Sequence, residues 1–397
     1  KFTCFADKCF ISRDVIDFYN LRDNPQIWSV GVKEVWQVNE DYQGKVWHTL
    51  GYPLLDGTFG GGFVYGMKDK KLTIGMVISL DSQDPNMNPQ QKLQDYKKHA
   101  FIQDMIKGGK LLKYGAALLP EGGYYSLPKK FYVPGAILLG DALGVLDVKN
   151  LAGIDRAMEC GYVAAGVLHD ALVKGDTSEA ALAPYQKQLE DGFVIKEAYK
   201  NRYFRWAFMS NPKLLGQYLP DIAKSIDKTN AWVGMLKVGF KNPFAAPVDG
   251  VTSLSLIEGT RDIGPIKYKP DASHIIPSWV TPKYDEPQYD KSTIYSRPDA
   301  VFFASTKYHE GNEHIDEFNA QTCVKCISTY EGLGKTTPCV ADCTAEVHRI
   351  DIIDDLRKHG MSLENCVHCR TCEIVCPEVN LRVKPTSQGS GPDFMGL

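Results

Sequence analysis

No apolar run in the sequence reaches the length of about 18 residues that marks a membrane-spanning helix, so no helix of that kind is expected. Net charge is nearly absent. The 45 Lys and Arg against 48 Asp and Glu leave −3, with an isoelectric point near 6.3, and nothing suggests nucleic acid as a partner. The hydrophobic and charged fractions, 44% and 23%, are those of an ordinary globular protein of two or three domains. There is no Gly-x-Gly-x-x-Gly, the pattern that lets backbone approach a dinucleotide pyrophosphate. Cysteine is scarce before residue 323: only Cys4, Cys9 and Cys160, read as free thiols. A disulfide framework would be spread along the chain, so this distribution favours a reducing compartment. No signal segment is visible. The sequence opens at Lys1 inside what reads as a strand, Phe2-Thr3-Cys4-Phe5-Ala6, which suggests that an N-terminal portion is missing.

Cysteine is abundant from residue 323 onward. Cys366, Cys369, Cys372 and Cys376 form C-x2-C-x2-C-x3-C followed by Pro377, and Cys323, Cys326, Cys339 and Cys343 form C-x2-C-x12-C-x3-C. The first run is the bacterial ferredoxin signature, in which three thiolates hold one 4Fe–4S cluster and the fourth reaches to the other. Three thiolates at two-residue intervals wrap three corners of a cubane from one tight loop, and the fourth corner needs a cysteine from elsewhere. Ferredoxin pseudo-symmetry assigns Cys343, Cys366, Cys369 and Cys372 to a first cluster. It assigns Cys323, Cys326, Cys339 and Cys376 to a second, whose loop carries an insertion between Cys326 and Cys339. Disulfides or a Cys4 zinc site at Cys323–Cys343 are the competing uses of such spacing.

Upstream, residues 28–37, 45–50 and 62–80 alternate apolar and polar side chains and read as antiparallel strands, with a turn at Asp69-Lys70-Lys71. Residues 89–107 read as a helix, and Leu111 to Ala116 as a strand. Ala136 to Leu139 reads as a buried strand ending in Gly140-Asp141, followed by a glycine-bearing stretch to Gly153 and a helix from Ile154 to about Lys174. That order suits a second contact with FAD. An aspartate after a strand accepts hydrogen bonds from ribityl hydroxyls, and a helix N-terminus offers free N–H groups. Gly140, Asp141, Gly153 and Ile154 are the candidate FAD residues, although Gly-Asp also ends many ordinary strands. Residues 179–209 read as largely helical, their tyrosines as packing. Prolines between 264 and 300 argue against regular structure there.

These stretches converge. The chain resembles the electron transfer flavoprotein–quinone oxidoreductase family in segments that occur in order: Gly31-Val32-Lys33-Glu34-Val35-Trp36, His48 to Leu54, Thr58-Phe59-Gly60-Gly61-Gly62-Phe63, Glu121-Gly122-Gly123, Gly140-Asp141, Asn365 to Cys372 and Gly389-Ser390-Gly391-Pro392. The resemblance implies a mixed fold, α/β with α+β. It has an FAD-binding Rossmann-type domain, incomplete here, an antiparallel-sheet quinone domain and a C-terminal ferredoxin-like 4Fe–4S domain. The expected boundaries are 1–8 for a remnant of the FAD domain, 9–125 for the quinone domain, 126–175 for the FAD-closing segment, 176–263 for a helical membrane-surface segment, 264–300 for a linker and 301–397 for the cluster domain.

The implied activity is passage of electrons from reduced electron transfer flavoprotein, through FAD and clusters, to membrane quinone. The protein would sit monotopically on the cytoplasmic face of the inner (cytoplasmic) membrane. Gly60 and Gly61 match backbone glycines that contact quinone, where a missing Cβ lets a ring approach; a bulge or tight turn is the plain alternative. Single-cluster members use the cysteines matching Cys343, Cys366, Cys369 and Cys372. The four extra cysteines resemble bacterial and archaeal two-cluster members associated with electron-bifurcating flavoproteins. Residues 211–246, where membrane contact is implied, are interrupted by Lys213, Asp221, Lys224, Asp227 and Lys237. A separate chain could supply the FAD half. Three other readings stay open: an iron–sulfur relay subunit of a soluble flavin dehydrogenase complex, an isoprenoid reductase, and a zinc-stabilised binding module. His368 is read as an exposed loop residue.

Overall fold

The computed structural model describes residues 2–7, 11–54, 58–82, 84, 87–205, 208, 290–308, 313–385 and 389–393. The implied membrane segment at 211–246, most of the linker and Cys9 lie outside them. The chain divides into two compact units, one built from residues 1–28, 119–211 and 225–266, the other from 29–118, 212–224 and 267–397.

In the first unit, β1 (Thr3–Phe5) runs parallel to β8 (Ala136–Leu138), which pairs antiparallel with β7 (Tyr132–Val133). Helix α5 (Ile154–Lys174) lays Cys160, Val163, Ala164, Val167 and Ala171 into the core at helical spacing. It ends where Gly175 takes φ +66° and its N–H returns to Ala171 and Leu172. Helix α6 (Glu179–Asp191) starts from Ser178, whose hydroxyl accepts from the Ala181 N–H, and its buried Tyr185 donates to the Leu138 carbonyl at 2.8 Å. Helix α1 (Ile11–Phe18) belongs here because Ile16, with Leu21 just beyond it, packs into the same core. The Glu121 N–H binds the Ile27 carbonyl, which ties the 119–125 stretch to the same unit. Residues 11–28 and 119–125 therefore leave the sheet domain to which the sequence assigned them.

The second unit contains a five-stranded sheet in the order β3-β4-β5-β2-β6, formed by β2 (Trp28–Gln37), β3 (Val46–Thr49), β4 (Gly60–Met67), β5 (Lys71–Ser79) and β6 (Lys110–Pro120). Strands β3/β4, β4/β5 and β2/β5 are antiparallel. The β4–β5 hairpin turns at Asp69 and Lys70, both left-handed at φ +61° and +52°. The helix expected over 89–107 is two, α2 (Pro89–Lys97) and α3 (Ala100–Ile106). His99 adopts an extended conformation between them, and its side chain accepts from the Phe101 N–H.

Beneath α2 lies a charge pair that the sequence did not announce. Lys97 Nζ sits 2.9 Å from Glu34 Oε2, with both side chains fully buried. The Trp36 indole and the Gln94 amide donate to the same carboxylate, and Lys97 also donates to the Thr293 carbonyl at 2.7 Å. Burial lowers the Lys97 pKa and Glu34 opposes the shift.

The cysteine-rich segment falls in the same compact unit as the sheet. Within it, Tyr114 donates to the Thr344 carbonyl at 2.9 Å and Lys113 pairs with Asp393 at 2.7 Å. Part of the expected linker is ordered: α8 (Arg297–Phe302) carries Pro298 in its first turn behind a Ser296–Asp299 capping box. A proline there forfeits no helical hydrogen bond. The segment then runs through β10 (Ile315–Glu317), α9 (Ala320–Gly332), α10 (Pro338–Ala341), the hairpin β11 (His348–Ile353) and β12 (Leu356–Met361), α11 (Thr371–Val375) and β13 (Leu381–Val383). Strands β10 and β13 pair antiparallel, so a strand–helix–helix–hairpin–helix–strand order closes on itself.

Candidate functional site

The thiols of Cys323, Cys326, Cys339 and Cys376 line one small cavity, with Thr337, His359, Asn380 and Leu381 among its other walls. Cys323 and Cys326 come from α9, Cys339 from α10, and Cys376 from the end of α11. Asn380 fixes two of these sulfurs: its N–H donates to Cys376 Sγ at 3.2 Å and its amide to Cys323 Sγ at 3.1 Å. Burial is the main cause that pushes the Cys323 thiol up to about 11 and those of Cys326 and Cys339 up to about 12, and each of the three also feels the charge of Cys376.

The remaining four cysteines gather separately. Burial raises Cys343, Cys366 and Cys372, and each feels the charge of Cys369. The loop that brings three of them together is tightly wound. His368 and Arg370, the residues flanking Cys369, are left-handed at φ +58° and +63°, which turns consecutive sulfurs toward one centre. A buried Arg370–Glu373 ion pair at 2.9 Å holds the second of these bends. This clamp is a signal that spacing alone did not carry. His368 is half-buried rather than exposed, tilted against His314, and burial pushes its imidazole down to about 4.

Four thiols converging on one cavity, with amide donors aimed at their sulfurs, fit a cubane cluster better than a disulfide. All eight cysteines are free thiols. Metal-free, they make the fold pH-sensitive. The folded pKa values of Cys323, Cys326, Cys339, Cys343, Cys366 and Cys372 lie above the unfolded thiol value, so the folded state holds protons that the unfolded chain releases. Stability of the metal-free protein is therefore present below pH 9 and is lost as the pH rises toward 11–12. Urea unfolding of the metal-free protein is expected to show a lower midpoint at pH 10 than at pH 7. An unchanged midpoint would mean that the thiols titrate normally.

Gly60 and Gly61 open β4. A Cβ on Gly60 would stand 2.2 Å from the Val77 carbonyl oxygen, and one on Gly61 2.4 Å from that of Thr49. Neighbouring strands fill the space a side chain would need, so packing by itself accounts for both glycines.

Gly140 and Asp141 do not end the strand. They begin a one-turn helix, α4 (Gly140–Leu143), with Gly140 at φ +52°. A Cβ at Gly140 would meet that of Ala157 at 3.0 Å, so glycine lets α5 lie close. Gly153 caps α5 without a side-chain hydrogen bond, and Ile154 is exposed. The loop between them is organised by Asp147, which the sequence reading passed over. Its carboxylate accepts from the Lys149 and Asn150 N–H groups and pairs with buried Arg156 at 2.8 Å. Arg156 also reaches Glu197 of α7 (Phe193–Lys200). Tyr199 and Tyr203 pack on the guanidinium of Arg202.

A family profile described as "ETF-QO, ubiquinone-binding" matches residues 28–119, nearly the whole five-stranded sheet. A "Probable electron transfer flavoprotein-ubiquinone oxidoreductase, mitochondrial" of Schizosaccharomyces pombe is 31% identical over 99% of this chain and 58% of its own length. An "Electron transfer flavoprotein-ubiquinone oxidoreductase" of Pseudomonas aeruginosa is 28% identical over 100% of this chain and 67% of its own. A solved geranylgeranyl bacteriochlorophyll reductase-like protein of Thermoplasma acidophilum overlays with a TM-score of 0.42 at 19% identity, over 55% of this chain and 53% of that one. That likeness is too distant to carry an argument. The chain spans about three fifths of the length of the first curated relatives it matches. Along its whole length the chain is similar to electron transfer flavoprotein–ubiquinone oxidoreductases, and its sheet matches the family's ubiquinone-binding profile.

Proposed function

We propose that this chain is the quinone-binding and cluster-bearing part of an oxidoreductase that passes electrons from reduced electron transfer flavoprotein, through FAD and two 4Fe–4S clusters, to membrane quinone. The observation that carries the reading is the sorting of eight cysteines into two sets of four within the unit that also holds the sheet matched at residues 28–119. Cys323, Cys326, Cys339 and Cys376 would hold one cluster, and Cys343, Cys366, Cys369 and Cys372 the other. Bound clusters supply single-electron storage. The chain's own residues orient the sulfurs: Asn380 toward Cys323 and Cys376, and the Val347 and His368 N–H groups toward Cys343 and Cys366.

The FAD contact is assigned to Gly140, Asp141, Gly153 and Ile154, with Asp147 and Arg156 holding their loop in shape. Quinone is assigned to the sheet around Gly60 and Gly61 on the family resemblance and on the match of that sheet to the ubiquinone-binding profile. The family resemblance favours a monotopic seat on the cytoplasmic face of the inner membrane. Among the described residues, no helix is long and apolar enough to cross a membrane.

Anaerobically purified protein, with whatever chain completes its flavin site, is the material for the test. Reduced electron transfer flavoprotein is expected to drive reduction of both a quinone and a soluble dye. Dye reduction without quinone reduction would instead make the chain a relay subunit of a soluble complex. A photoreactive quinone is expected to label peptides within 28–119, and labelling confined to other peptides would move the quinone off the sheet.

A further inference from the structure

The two sets of thiols differ in their polar surroundings. The groups hydrogen-bonded to the sulfurs of Cys343, Cys366 and Cys369 are backbone N–H groups and hydroxyls. The Val347 N–H lies 3.2 Å from Cys343 Sγ, the His368 N–H 3.3 Å from Cys366 Sγ, and the Thr371 and Thr344 hydroxyls 3.3 and 3.6 Å from Cys369 Sγ. Of the carboxylates near this set, Glu373 is matched by Arg370, and Asp342 is buried directly before Cys343.

Beside the other set a carboxylate stands among the thiols. A Glu317 oxygen, Cys323 Sγ and a His359 ring nitrogen all lie within 4.8 Å of one another. His359 Nδ1 is 2.5 Å from Glu317 Oε2 and 4.0 Å from Cys323 Sγ. The His359 Nε2 is 2.9 Å from His348 Nδ1, with the two rings stacked 10° from parallel. His348 in turn lies within 4.8 Å of Cys339 Sγ. Glu317, His359 and His348 thus form a hydrogen-bonded chain along one wall of the cavity, from Cys323 to Cys339. Its middle member is 4% exposed, so the carboxylate is anchored to a buried ring.

Building on the two-cluster reading, we propose that Glu317, held by His359 and His348, sets the reduction potential of the cluster at Cys323, Cys326, Cys339 and Cys376 below that of its partner. Reduction adds one negative charge to a group already bound by thiolates. Donors to sulfur stabilise that charge in both sets, through Asn380 in this one, whereas a fixed carboxylate within a few ångströms repels it in this set. Solvent works in the opposite direction, because the Cys323 set is half-buried while Cys343, Cys366 and Cys372 are buried. Glu317, at 16% side-chain exposure, lies inside that solvent shell, so its short distance to the sulfur prevails. An electron shared by the two clusters then rests on the Cys343 cluster.

The test is a redox titration of the anaerobic holoprotein followed by EPR, with Cys376→Ala identifying which signal belongs to which cluster. The expected result is a lower potential for the Cys323 cluster. Glu317→Gln is expected to raise that potential by at least about tenfold in the one-electron equilibrium, about 59 mV, with no change at the other cluster. The exposed Glu378→Gln, screened by water, should move it less. Equal or inverted potentials in the unaltered protein overturn the proposal, as does a Glu317→Gln shift that is absent or common to both clusters. If Glu317→Gln fails to load the site, His359→Gln takes its place. By freeing the carboxylate it should raise the same potential, and an unmoved potential overturns the proposal. An iron count near four in the unaltered protein would remove the two-cluster reading as well. A count near eight with inverted potentials would remove only this one.

Discussion

Replacing Cys376 with alanine is expected to halve the iron content, from about eight atoms per chain to about four. The residue stands in sequence among Cys366, Cys369 and Cys372, yet its thiol lines the cavity of Cys323, Cys326 and Cys339. Losing it removes one of four ligands from that cavity and none from the other. The variant should therefore keep the EPR signal of one reduced cluster and lose the second. Cys343→Ala should do the reverse, because Cys343 follows Cys339 by four residues but feels Cys369 rather than Cys376. Metal analysis of both variants decides the matter. If Cys376→Ala abolishes the Cys366–Cys372 cluster instead, the ligands do not cross between the two sets. If the unaltered protein holds about four irons and one zinc, the cavity at Cys323 is a mononuclear metal site.

Replacing Lys97 with methionine is expected to cost about 3–5 kcal/mol of folding stability, because it leaves Glu34 buried without its counter-charge. Glu34 would keep the Trp36 and Gln94 hydrogen bonds but lose the contacts at 2.9 and 3.0 Å from Lys97. The Thr293 carbonyl would lose its donor too. In urea unfolding the midpoint should fall with the slope unchanged. The double variant Glu34→Gln with Lys97→Met should recover part of the loss, since the two residues share one interaction and their effects cannot add. An exposed control, Lys358→Met, should change stability by about 0.5 kcal/mol or less. A Lys97→Met cost near that of the control would mean that water reaches Glu34.

How much of this was legible in the sequence varied with the range of the interaction involved. Strand alternation placed β2 and β5, because side-chain period follows directly from backbone geometry. The helix Ile154–Lys174 was visible for the same reason, with a glycine at each end. The 89–107 helix was read as continuous because the break at His99 depends on one ring accepting a single backbone N–H, which periodicity does not register. Pro298 was read as a breaker because proline counts ignore where in a helix a proline falls. Gly140-Asp141 was read as a strand end, although the chain turns one residue earlier to let α5 approach.

Cysteine spacing by itself pointed to two sets of four thiols, because a cubane would accept three ligands from one short loop and require the fourth from elsewhere. The alternation of apolar residues determined an antiparallel sheet upstream of them. Only the tertiary structure decided what surrounds those elements. It put the cysteine segment in one unit with the sheet, through contacts such as Tyr114 to Thr344 between residues 230 positions apart. It buried Lys97 against Glu34, and it stood Glu317 and His359 beside Cys323 and His348 beside Cys339. These groups come from strands and helices far apart in the chain. Sequence pattern reports which face of an element is apolar, whereas the partner of a buried charge depends on which elements pack together.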